Sequence, residues 1–478
     1  LMADSIKRIH LVAACGTGMG TLACILKKMG YIITGSDRNV YPPMSDFLED
    51  NGITLFSGFD PANISDDPNR VPDLVIIGNA VTRDNPEAVA VMERGLAYIS
   101  MPQAVNRFIA NDKKIILVTG THGKTTTSSI MAHLLETAGL SPSFMIGGIL
   151  KDYNSSFKIG DGEYMVIEGD EYDTAFFDKG PKFMHYDPFI TIMTGIEFDH
   201  ADIFDDLDHI CRTFGALASK IRDKSRIIAC KENFNLMQVL EQAGVVDLQT
   251  YGPSGMWQVN DHRLSSEPDP GTGRLHTLAR ITGPGTDINI QTDLPGRHNL
   301  LNATACIAAA RSMGITQADI ARGLSSFSGV KRRQEIRGQV GGITVMDDFA
   351  HHPTAVKETI AAVKPFYPQG RLVAVFEPRT NTSMRNIFQS TYPECFDLAD
   401  LVCICSPGVK KNIPEEERFS PERLAEDICK RGRAAHHFND PGQVIDFLAL
   451  ELKPKDVVLV MSNGGFGNIH QRLLERLG

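Results

Sequence analysis

The sequence of 478 residues lacks the long apolar segments of a membrane protein. Apolar runs such as Ile115–Val118 and Val457–Met461 fall far short of the roughly 20 residues that span a bilayer. The opening residues, Leu1 to Asp4, have neither the basic stretch nor the apolar stretch of a secretory signal peptide. We therefore expect a cytoplasmic protein with no membrane partner.

The nine cysteines form no CxxC pair, and the nearest two are Cys403 and Cys405. An odd number of scattered cysteines argues against a secreted disulfide framework, and their spacing is not that of a structural zinc site. We interpret them as reduced thiols.

Basic residues are not in excess. The 48 Lys and Arg against 58 Asp and Glu give a formal net charge of −10 and a sequence pI near 5.8. This balance argues against a large basic surface for nucleic acid, and we expect no nucleic-acid partner. A local basic pocket for a phosphorylated small molecule is compatible with it.

Short apolar runs bounded by Gly, Asp or Pro alternate with helical stretches along most of the chain. The predicted strands are 9–14, 31–34, 74–77, 115–118, 164–167, 189–194, 226–229, 343–346, 372–376, 401–404 and 457–461, and the clearest helices are 21–29, 125–138 and 353–363. Strands alternating with helices predict an α/β fold whose parallel sheets are covered on both faces. Between positions 251 and 295 the chain is rich in Gly, Pro, Ser and Asp, which favours hairpins over helices.

The length favours three domains at about 150 residues each. We predict them at residues 1–110, 111–330 and 331–478. A new strand–loop–helix unit starts at Ile115, and the third section follows the basic cluster Lys331-Arg-Arg333.

The clearest chemical motif is Gly120-Thr-His-Gly-Lys-Thr, which follows a strand and opens a helix. Glycines there let backbone N–H groups converge on phosphate oxygens at the helix N-terminus. We expect Lys124 to reach the β- and γ-phosphates of ATP, and Thr125 or Thr126 to approach Mg²⁺. The loop departs from GxxxxGK[ST] because Val118 occupies the first glycine position, and a turn without nucleotide is the alternative. The predicted nucleotide contacts are Gly120, Thr121, His122, Gly123, Lys124, Thr125 and Thr126.

A second glycine loop, Gly16-Thr-Gly-Met-Gly20, follows the first strand, and Gly35-Ser-Asp37 ends the next. The spacing GxGxG rather than GxGxxG argues against NAD. A diphosphate at the helix N-terminus, with Asp37 near a sugar or base, suits a nucleotide conjugate. A tight turn without ligand is the alternative. The predicted substrate contacts are Gly16, Thr17, Gly18, Met19, Gly20, Ser36 and Asp37.

Two acidic clusters, Glu168–Asp173 and Glu197–Asp202, each follow a predicted strand. Carboxylates at neighbouring strand ends hold Mg²⁺ against β- and γ-phosphates. A single acidic strand-end turn is usually a solvated loop, but two of them after a phosphate loop favour a metal site.

Asn299 and Asn302 lie one helical turn apart in Gly296-Arg-His-Asn-Leu-Leu-Asn302 and suit a base or sugar, although Asn299 is equally compatible with a helix cap. Arg332 and Arg333 are either a solvated pair or a phosphate clamp.

The motif Asp347-Asp-Phe-Ala-His-His-Pro-Thr354 lies between a strand and a helix. Asp348 suits a ribose hydroxyl. We interpret His351 and His352 as residues of a loop or a helix start, since the sequence shows nothing nearby that completes a zinc set.

In their order and spacing, these motifs resemble the Mur ligase family, the ATP-dependent amide-forming enzymes of peptidoglycan precursor synthesis. The resemblance covers essentially the whole chain and is closest to the branch that binds UDP-N-acetylmuramate. It implies a Rossmann-like amino-terminal domain for the UDP-sugar, a P-loop ATPase-like central domain, and a Rossmann-like carboxy-terminal domain that binds peptide and closes the site. Segments 37–45, 170–179, 197–206, 377–381 and 461–467 favour a tripeptide over a single amino acid as the second substrate.

The resemblance implies a ligase that joins UDP-N-acetylmuramate to L-alanyl-γ-D-glutamyl-meso-diaminopimelate in peptidoglycan recycling, with ATP and Mg²⁺, through an acyl phosphate. The closest alternative is the ligase that adds L-alanine. A nucleotide-sensing module without turnover and an NAD-linked oxidoreductase are more distant alternatives.

The resemblance also assigns roles to residues. It implies that Lys124, Glu168 and His200 are catalytic and that Thr125, Glu168 and His200 bind the metal. Glu171 is the next candidate for the metal and is also a predicted substrate contact. The remaining nucleotide contacts would be Asn299, Asn302, Arg333 and Asp348.

For the peptide carboxylate we predict Arg379, Ser462, Asn463 and Gly464; a surface arginine and a helix-capping turn are the alternative. One departure from the family is Gly195, where Asn is common, so an amide contact is absent or supplied elsewhere. The carbamoylated lysine of some members has no clear counterpart, and Lys220 is not a convincing one.

Overall fold

The computed structural model describes residues 6–40, 44–201, 203–269, 274–408 and 413–478. Every predicted strand and each of the three predicted helices is present, with ends displaced by a few residues. The α/β fold class is therefore confirmed. In the described residues, no helix combines the length and the apolar character needed to cross a membrane.

The amino-terminal sheet has five parallel strands in the order β3-β2-β1-β4-β5, a Rossmann arrangement. Its strands are β1 (Arg8–Val12), β2 (Ile32–Asp37), β3 (Thr54–Ser57), β4 (Leu74–Ile77) and β5 (Tyr98–Ser100); the helices are α1 (Thr17–Lys28), α2 (Met44–Asp50), α3 (Pro86–Glu93) and α4 (Met101–Val105). Buried apolar side chains cover both faces of the sheet.

The central sheet has seven strands in the order β14-β13-β12-β6-β9-β7-β8, of which only β8 is antiparallel to its neighbour. These strands are β6 (Lys114–Thr119), β7 (Ser143–Leu150), β8 (Ser155–Lys158), β9 (Tyr164–Gly169), β12 (Pro188–Met193), β13 (Ile227–Cys230) and β14 (Gln249–Tyr251). Because β6 lies between β9 and β12, the phosphate loop after β6 and the acidic turns after β9 and β12 meet at one edge of the sheet.

Helices and smaller sheets surround the central sheet. The helices are α5 (Lys124–Thr137), α6 (Leu207–Lys220), α7 (Phe234–Gln242), α8 (Arg297–Ser312) and α9 (Gln317–Ser326), and the further strands are β10 (Asp173–Ala175), β11 (Asp178–Pro181), β15 (Gln258–Leu264), β16 (Thr277–Gly283) and β17 (Thr286–Thr292). The strands β15, β16 and β17 form an antiparallel sheet, which confirms the hairpins predicted between 251 and 295.

The β10–β11 hairpin leaves the central domain and reaches the amino-terminal one. Phe176 and Phe177, at its turn, pack against a buried cluster that includes Val12 and Val75. The Phe177 ring lies 5.0 Å from that of Tyr98, edge to face. The hairpin therefore joins the acidic turn after β9 to the apolar core beside the amino-terminal sheet.

The carboxy-terminal sheet has six strands in the order β18-β19-β23-β20-β21-β22, parallel except for the edge strand β18. Its strands are β18 (Glu335–Val340), β19 (Ile343–Asp348), β20 (Leu372–Phe376), β21 (Leu401–Cys405), β22 (Ala434–Phe438) and β23 (Val457–Met461); the helices are α10 (Pro353–Val363), α11 (Tyr392–Cys395), α12 (Pro421–Lys430), α13 (Pro441–Glu451) and α14 (Ile469–Leu477). His352 caps α10, as its interpretation as a helix-start residue predicts.

Candidate active site

The phosphate loop, residues 120–124, packs so tightly that two positions accept only glycine. Gly120 and Gly123 have φ angles of +132° and +81°, and an added Cβ would lie 2.2 Å from Thr194 Oγ1 and 2.9 Å from Asn302 Oδ1, respectively. Side chains are excluded at both, so backbone N–H groups line the start of α5. The same contact brings Asn302 against the loop.

The loop is also fixed to the turn after β12. The Thr121 N–H donates to the Gly195 carbonyl at 2.9 Å, and the Glu197 N–H donates to Thr121 Oγ1 at 2.9 Å. These bonds place the second acidic cluster directly beside the loop. Asp202, at the end of that cluster, lies outside the described residues.

Lys124 is buried in an ion pair with Glu171. Its ammonium donates to Glu171 Oε2 at 2.7 Å and Oε1 at 3.0 Å, and to the Gly120 carbonyl at 2.7 Å. Burial disfavours the charge, but the Glu171 and Asp170 carboxylates outweigh it and raise the pKa of Lys124. Burial likewise raises the pKa of Glu171, yet Lys124 and His200 outweigh it and lower the pKa to about 2. The pair is therefore charged at neutral pH.

Glu168 and Thr125 meet on the strand β9 side of the loop. The Thr125 hydroxyl donates to Glu168 Oε1 at 2.9 Å, and the Gly147 N–H donates to Oε2 at 2.8 Å. Burial raises the pKa of Glu168, so a cation beside it would stabilise its charged form. A carboxylate and a hydroxyl are oxygen donors of the kind that Mg²⁺ prefers, and these two residues fit that ion. Thr126 is buried behind the loop.

His200 contacts Glu171 rather than Glu168. Its Nε2 lies 3.2 Å from Glu171 Oε1, and its Nδ1 is 2.5 Å from the Tyr172 hydroxyl. Burial lowers its pKa, but the hydrogen bond to Glu171 and the Asp199 carboxylate outweigh burial and raise it. Glu168, Glu171 and His200 do not form a single three-ligand cluster in the described part of the chain. His200 also has a left-handed φ of +57°, a strained conformation that is concentrated at functional sites.

Asn299 is not a helix cap, because Gly296 occupies the cap position of α8. The buried Asn299 amide donates to the Pro295 carbonyl at 2.7 Å and to Gln334 Oε1 at 3.1 Å. The Gln334 N–H in turn donates to Asp348 Oδ2 at 2.8 Å. Predicted nucleotide contacts of two domains are thus connected through Gln334, which no sequence motif marks.

Asp348 is itself buried, and burial raises its pKa. Its Oδ1 accepts from the Ala350 N–H at 2.7 Å, so both carboxylate oxygens already have partners within the chain. The two arginines of the linker diverge. Arg332 donates to the Ser462 and Gly464 carbonyls at 2.8 and 2.7 Å, whereas the Arg333 guanidinium lies 5.0 Å from the centre of the Phe349 ring.

The predicted peptide contacts do come together. Glu377 accepts from the Ser462 hydroxyl at 2.6 Å and lies 3.7 Å from the half-exposed Arg379 guanidinium. A Cβ at Gly464 would lie 2.3 Å from Arg379 Cδ, so glycine makes room for the arginine. Asn463 Oδ1 is buried and has no hydrogen-bond partner among the described residues. This turn presents a cation and an unused acceptor.

The amino-terminal glycine loop lies at the start of helix α1. Gly16 caps α1 and accepts from the Gly20 N–H at 2.8 Å. A Cβ at Gly20 would lie 2.7 Å from Met44 Sδ, and one at Gly18 would lie 3.2 Å from Met101. A larger residue at either position would displace the flexible end of a methionine side chain.

Of the other predicted contacts here, Asp37 accepts from the Cys15 and Asn39 N–H groups at 2.9 and 3.0 Å. Ser36 is fully buried and its hydroxyl donates to Glu87 in the core, so the predicted substrate contact is left to its backbone. The Met19 side chain also packs in the core, which leaves its backbone for a ligand. The Thr17 side chain lies outside the described residues.

Gly195 is explained by its neighbour. A Cβ there would lie 2.9 Å from Asn233 Nδ2, and Asn233 Oδ1 accepts from the Ile196 N–H at 3.1 Å. The amide of Asn233 therefore fills the space beside Gly195.

The hydrogen bonds of Lys220 are made away from the phosphate loop, since its ammonium donates to the Met184 and Tyr186 carbonyls at 2.5 and 2.6 Å.

The carboxy-terminal domain reaches the phosphate loop through the start of α10. The Thr354 hydroxyl donates to Glu197 Oε2 at 2.6 Å, and the His122 and His352 rings lie 4.5 Å apart. Burial raises the pKa of Glu197, but His122 and Thr354 outweigh it and lower the pKa to about 2, and burial lowers the pKa of His352 to about 4. Glu197 and His122 therefore approach His352 from the central domain, a contact that the sequence around His352 does not indicate.

Comparison with known proteins covers nearly the entire chain. Residues 8–113 match the model "Mur ligase family, catalytic domain", residues 118–310 match "Mur ligase middle domain", and residues 332–464 match "Mur ligase, glutamate ligase domain".

Individual relatives cover the chain at similar length. The UDP-N-acetylmuramate–L-alanyl-γ-D-glutamyl-meso-2,6-diaminoheptandioate ligase of Escherichia coli K12 is 40% identical over 98% of both chains. The UDP-N-acetylmuramate–L-alanine ligase of Geobacter sulfurreducens is 32% identical over 98% of this chain and 97% of its own. The crystal structure of a murein peptide ligase from Psychrobacter arcticus is 32% identical, covers 99% of both chains and superposes with a TM-score of 0.68.

Proposed function

The chain belongs to the Mur ligase family of ATP-dependent amide-forming enzymes, and from this premise we propose that it joins UDP-N-acetylmuramate to L-alanyl-γ-D-glutamyl-meso-diaminopimelate in peptidoglycan recycling. The observation that carries the choice of tripeptide is the full-length identity of 40% to a ligase of that name, against 32% to a relative named for L-alanine.

The proposed reaction has two steps on one site. The muramate carboxylate attacks the γ-phosphate of ATP and gives an acyl phosphate and ADP; the tripeptide amine then attacks the acyl carbon and phosphate leaves. Residues 1–110 would hold the UDP-sugar, 111–330 the ATP, and 331–478 the peptide. The protein contributes mainly position and charge.

Lys124 is suited to stabilise the transferring phosphoryl group because it is charged, buried and fixed at the start of α5. Thr125 and Glu168 would hold Mg²⁺, which would supply charge neutralisation between the phosphates when bound. His200, oriented by Glu171 and Tyr172, is the further proposed metal contact. Asn302, which packs against Gly123, and Asn299 would contact the nucleotide.

Two features support peptide binding by the carboxy-terminal domain. The Arg379 guanidinium is half exposed and is oriented by the buried Glu377, as a clamp for a carboxylate requires. Asn463 Oδ1, which has no hydrogen-bond partner in the described part of the chain, would offer an acceptor to an amide or amine of the peptide.

The test is release of ADP from ATP and Mg²⁺ with UDP-N-acetylmuramate, offering the tripeptide or L-alanine in turn. We expect kcat/KM for the tripeptide to exceed that for L-alanine by at least about tenfold, and no ADP without the UDP-sugar. A preference for L-alanine would assign the protein to the first amino-acid addition. Sustained ADP release that needs neither an acceptor nor the UDP-sugar would contradict a ligase altogether.

A further inference from the structure

Three side chains from separate parts of the sequence meet where the phosphate loop faces the carboxy-terminal domain. His122 lies in the loop, Glu197 follows β12 and His352 precedes α10. One ligand atom from each lies within 4.8 Å of the others, and within the described ranges no other three His, Cys, Asp or Glu residues do so.

The separations suit a small cation. His122 Nε2 lies 3.5 Å and His352 Nδ1 lies 3.8 Å from the same oxygen, Glu197 Oε2. Metal–ligand bonds of about 2.0–2.1 Å in a tetrahedral zinc site place ligand atoms about 3.4 Å apart. The two distances to Glu197 Oε2 therefore exceed this separation by only about 0.1–0.4 Å, and the two imidazole ligand atoms lie within 4.8 Å of each other.

Surrounding contacts orient the set as outer contacts of metal sites do. His352 Nε2 lies 3.2 Å from the Phe198 carbonyl, which favours a proton on Nε2 and leaves the Nδ1 lone pair facing Glu197. The Thr354 hydroxyl fixes the carboxylate at 2.6 Å. The Thr354 N–H, at 3.3 Å, competes for His352 Nδ1.

A separate observation at His122 also indicates a ligand. Its Nε2 is buried and has no hydrogen-bond partner among the described residues, although it points at Glu197. A buried ring nitrogen without a partner is unusual in a native structure and calls for a ligand.

We propose that His122, Glu197 and His352 form a site for a transition-metal ion, with Zn²⁺ as the occupant. Two imidazoles and one carboxylate suit Zn²⁺ or Co²⁺ rather than Mg²⁺, which prefers oxygen ligands. The bound ion joins the phosphate loop to the start of α10 and so holds the central and carboxy-terminal domains together.

The test uses Co²⁺ as a spectroscopic probe on the full chain, with Mg²⁺ in large excess so that oxygen-donor sites are filled. We expect one Co²⁺ per chain, the visible absorption of a four-coordinate ion, and displacement by stoichiometric Zn²⁺. His352→Asn keeps a residue that caps α10 but removes the ligand, and it should weaken Co²⁺ binding at least about 100-fold. His436→Asn, at an exposed position of β22, is the matched control and should bind as the native chain does.

Equal Co²⁺ binding by the native chain and His352→Asn, or none by the native chain at about 1 mM, would overturn the proposal. Glu197→Gln provides a second loss of a ligand if circular dichroism shows that His352→Asn does not fold. Metal binding is read without substrates, so a chain that binds Co²⁺ here but fails to ligate would refute the proposed function and leave this site standing.

Discussion

The buried pair of Lys124 and Glu171 gives the sharpest prediction, because it separates the stability of the central domain from its chemistry. Lys124→Met removes the ammonium and leaves Glu171 buried, with only the His200 imidazole, at 3.2 Å, to stabilise its charge. Replacing Glu171 by Gln in the same chain removes the stranded charge as well. The single and double variants therefore differ in stability but not in their lack of the phosphate-contacting cation.

The expected size follows from the contacts. Breaking a buried ion pair from one side costs about 3–5 kcal/mol, and the remaining His200 contact favours the lower end. For a unit of roughly 200 residues, about 3 kcal/mol corresponds to a fall in Tm of about 6–12 °C. The double variant replaces the pair with uncharged groups and should return to within about 1 kcal/mol of the native chain. Ligation should stay at least about 1000-fold below native in both.

Trp257 makes the assay local. It is the only tryptophan in the sequence, it is buried, and its indole N–H donates to Gln249 Oε1 at 2.8 Å at the edge of the central domain. Its emission during heating follows that domain in a chain whose three domains need not unfold together. An unchanged Tm for Lys124→Met would refute the energetic argument, and ligation by the double variant would refute the phosphate contact.

Three further predictions concern other parts of the molecule. Burial raises the pKa of Glu87, but hydrogen bonds from His10 and Ser36 outweigh it and lower the pKa, so the charged Glu87 stabilises the fold above about pH 4.5 and this stabilisation is lost as the pH falls further. Glu87→Gln should lower the free energy of unfolding at pH 7 by about 1.5–3 kcal/mol and make stability less dependent on pH in acid, and an unchanged acid-unfolding curve would contradict this. Gly120→Ala should weaken ATP binding at least about 30-fold in calorimetry, because its Cβ in the phosphate loop meets Thr194 Oγ1. Gly139→Ala, also at positive φ but with open space around it, should bind ATP normally, and equal ATP affinities of the two variants would refute the role of Gly120 in the loop. Arg379→Lys should raise KM for the tripeptide about tenfold and leave KM for the UDP-sugar unchanged, since lysine lacks the paired donors of the guanidinium. A change in KM for the UDP-sugar would contradict the assignment of Arg379 to the peptide.

Eleven strands of the three large sheets were predicted, most of them because burial on both faces makes them short apolar runs. Strands β3, β5 and β22 were not predicted, because their residues are only partly buried. Asp173–Ala175 and Asp178–Pro181 were not, since these short strands carry polar residues and glycine and depend on their packing against another domain. The burial of the Ser36 side chain was not predictable for a related reason: its position beside Asp37 indicates the strand end but not that its hydroxyl faces Glu87.

The candidate site also contains both features that the sequence predicts and features that it does not. Chemistry held within one motif, such as the loop ending at Lys124, follows from local spacing. Contacts between domains do not: Thr354 and Glu197 are 157 positions apart, and Gln334 belongs to no motif, so only the packing of the sheets brings them into the site.

The β10–β11 hairpin has a mechanical consequence. Only a few residues of chain separate Glu171, which holds Lys124, from Phe176 and Phe177, whose rings are embedded beside the amino-terminal sheet. A rotation of that domain that preserves this packing has to carry the hairpin with it and strain the backbone at Glu171. The hairpin thus couples the orientation of the amino-terminal domain to the position of the Lys124 ammonium.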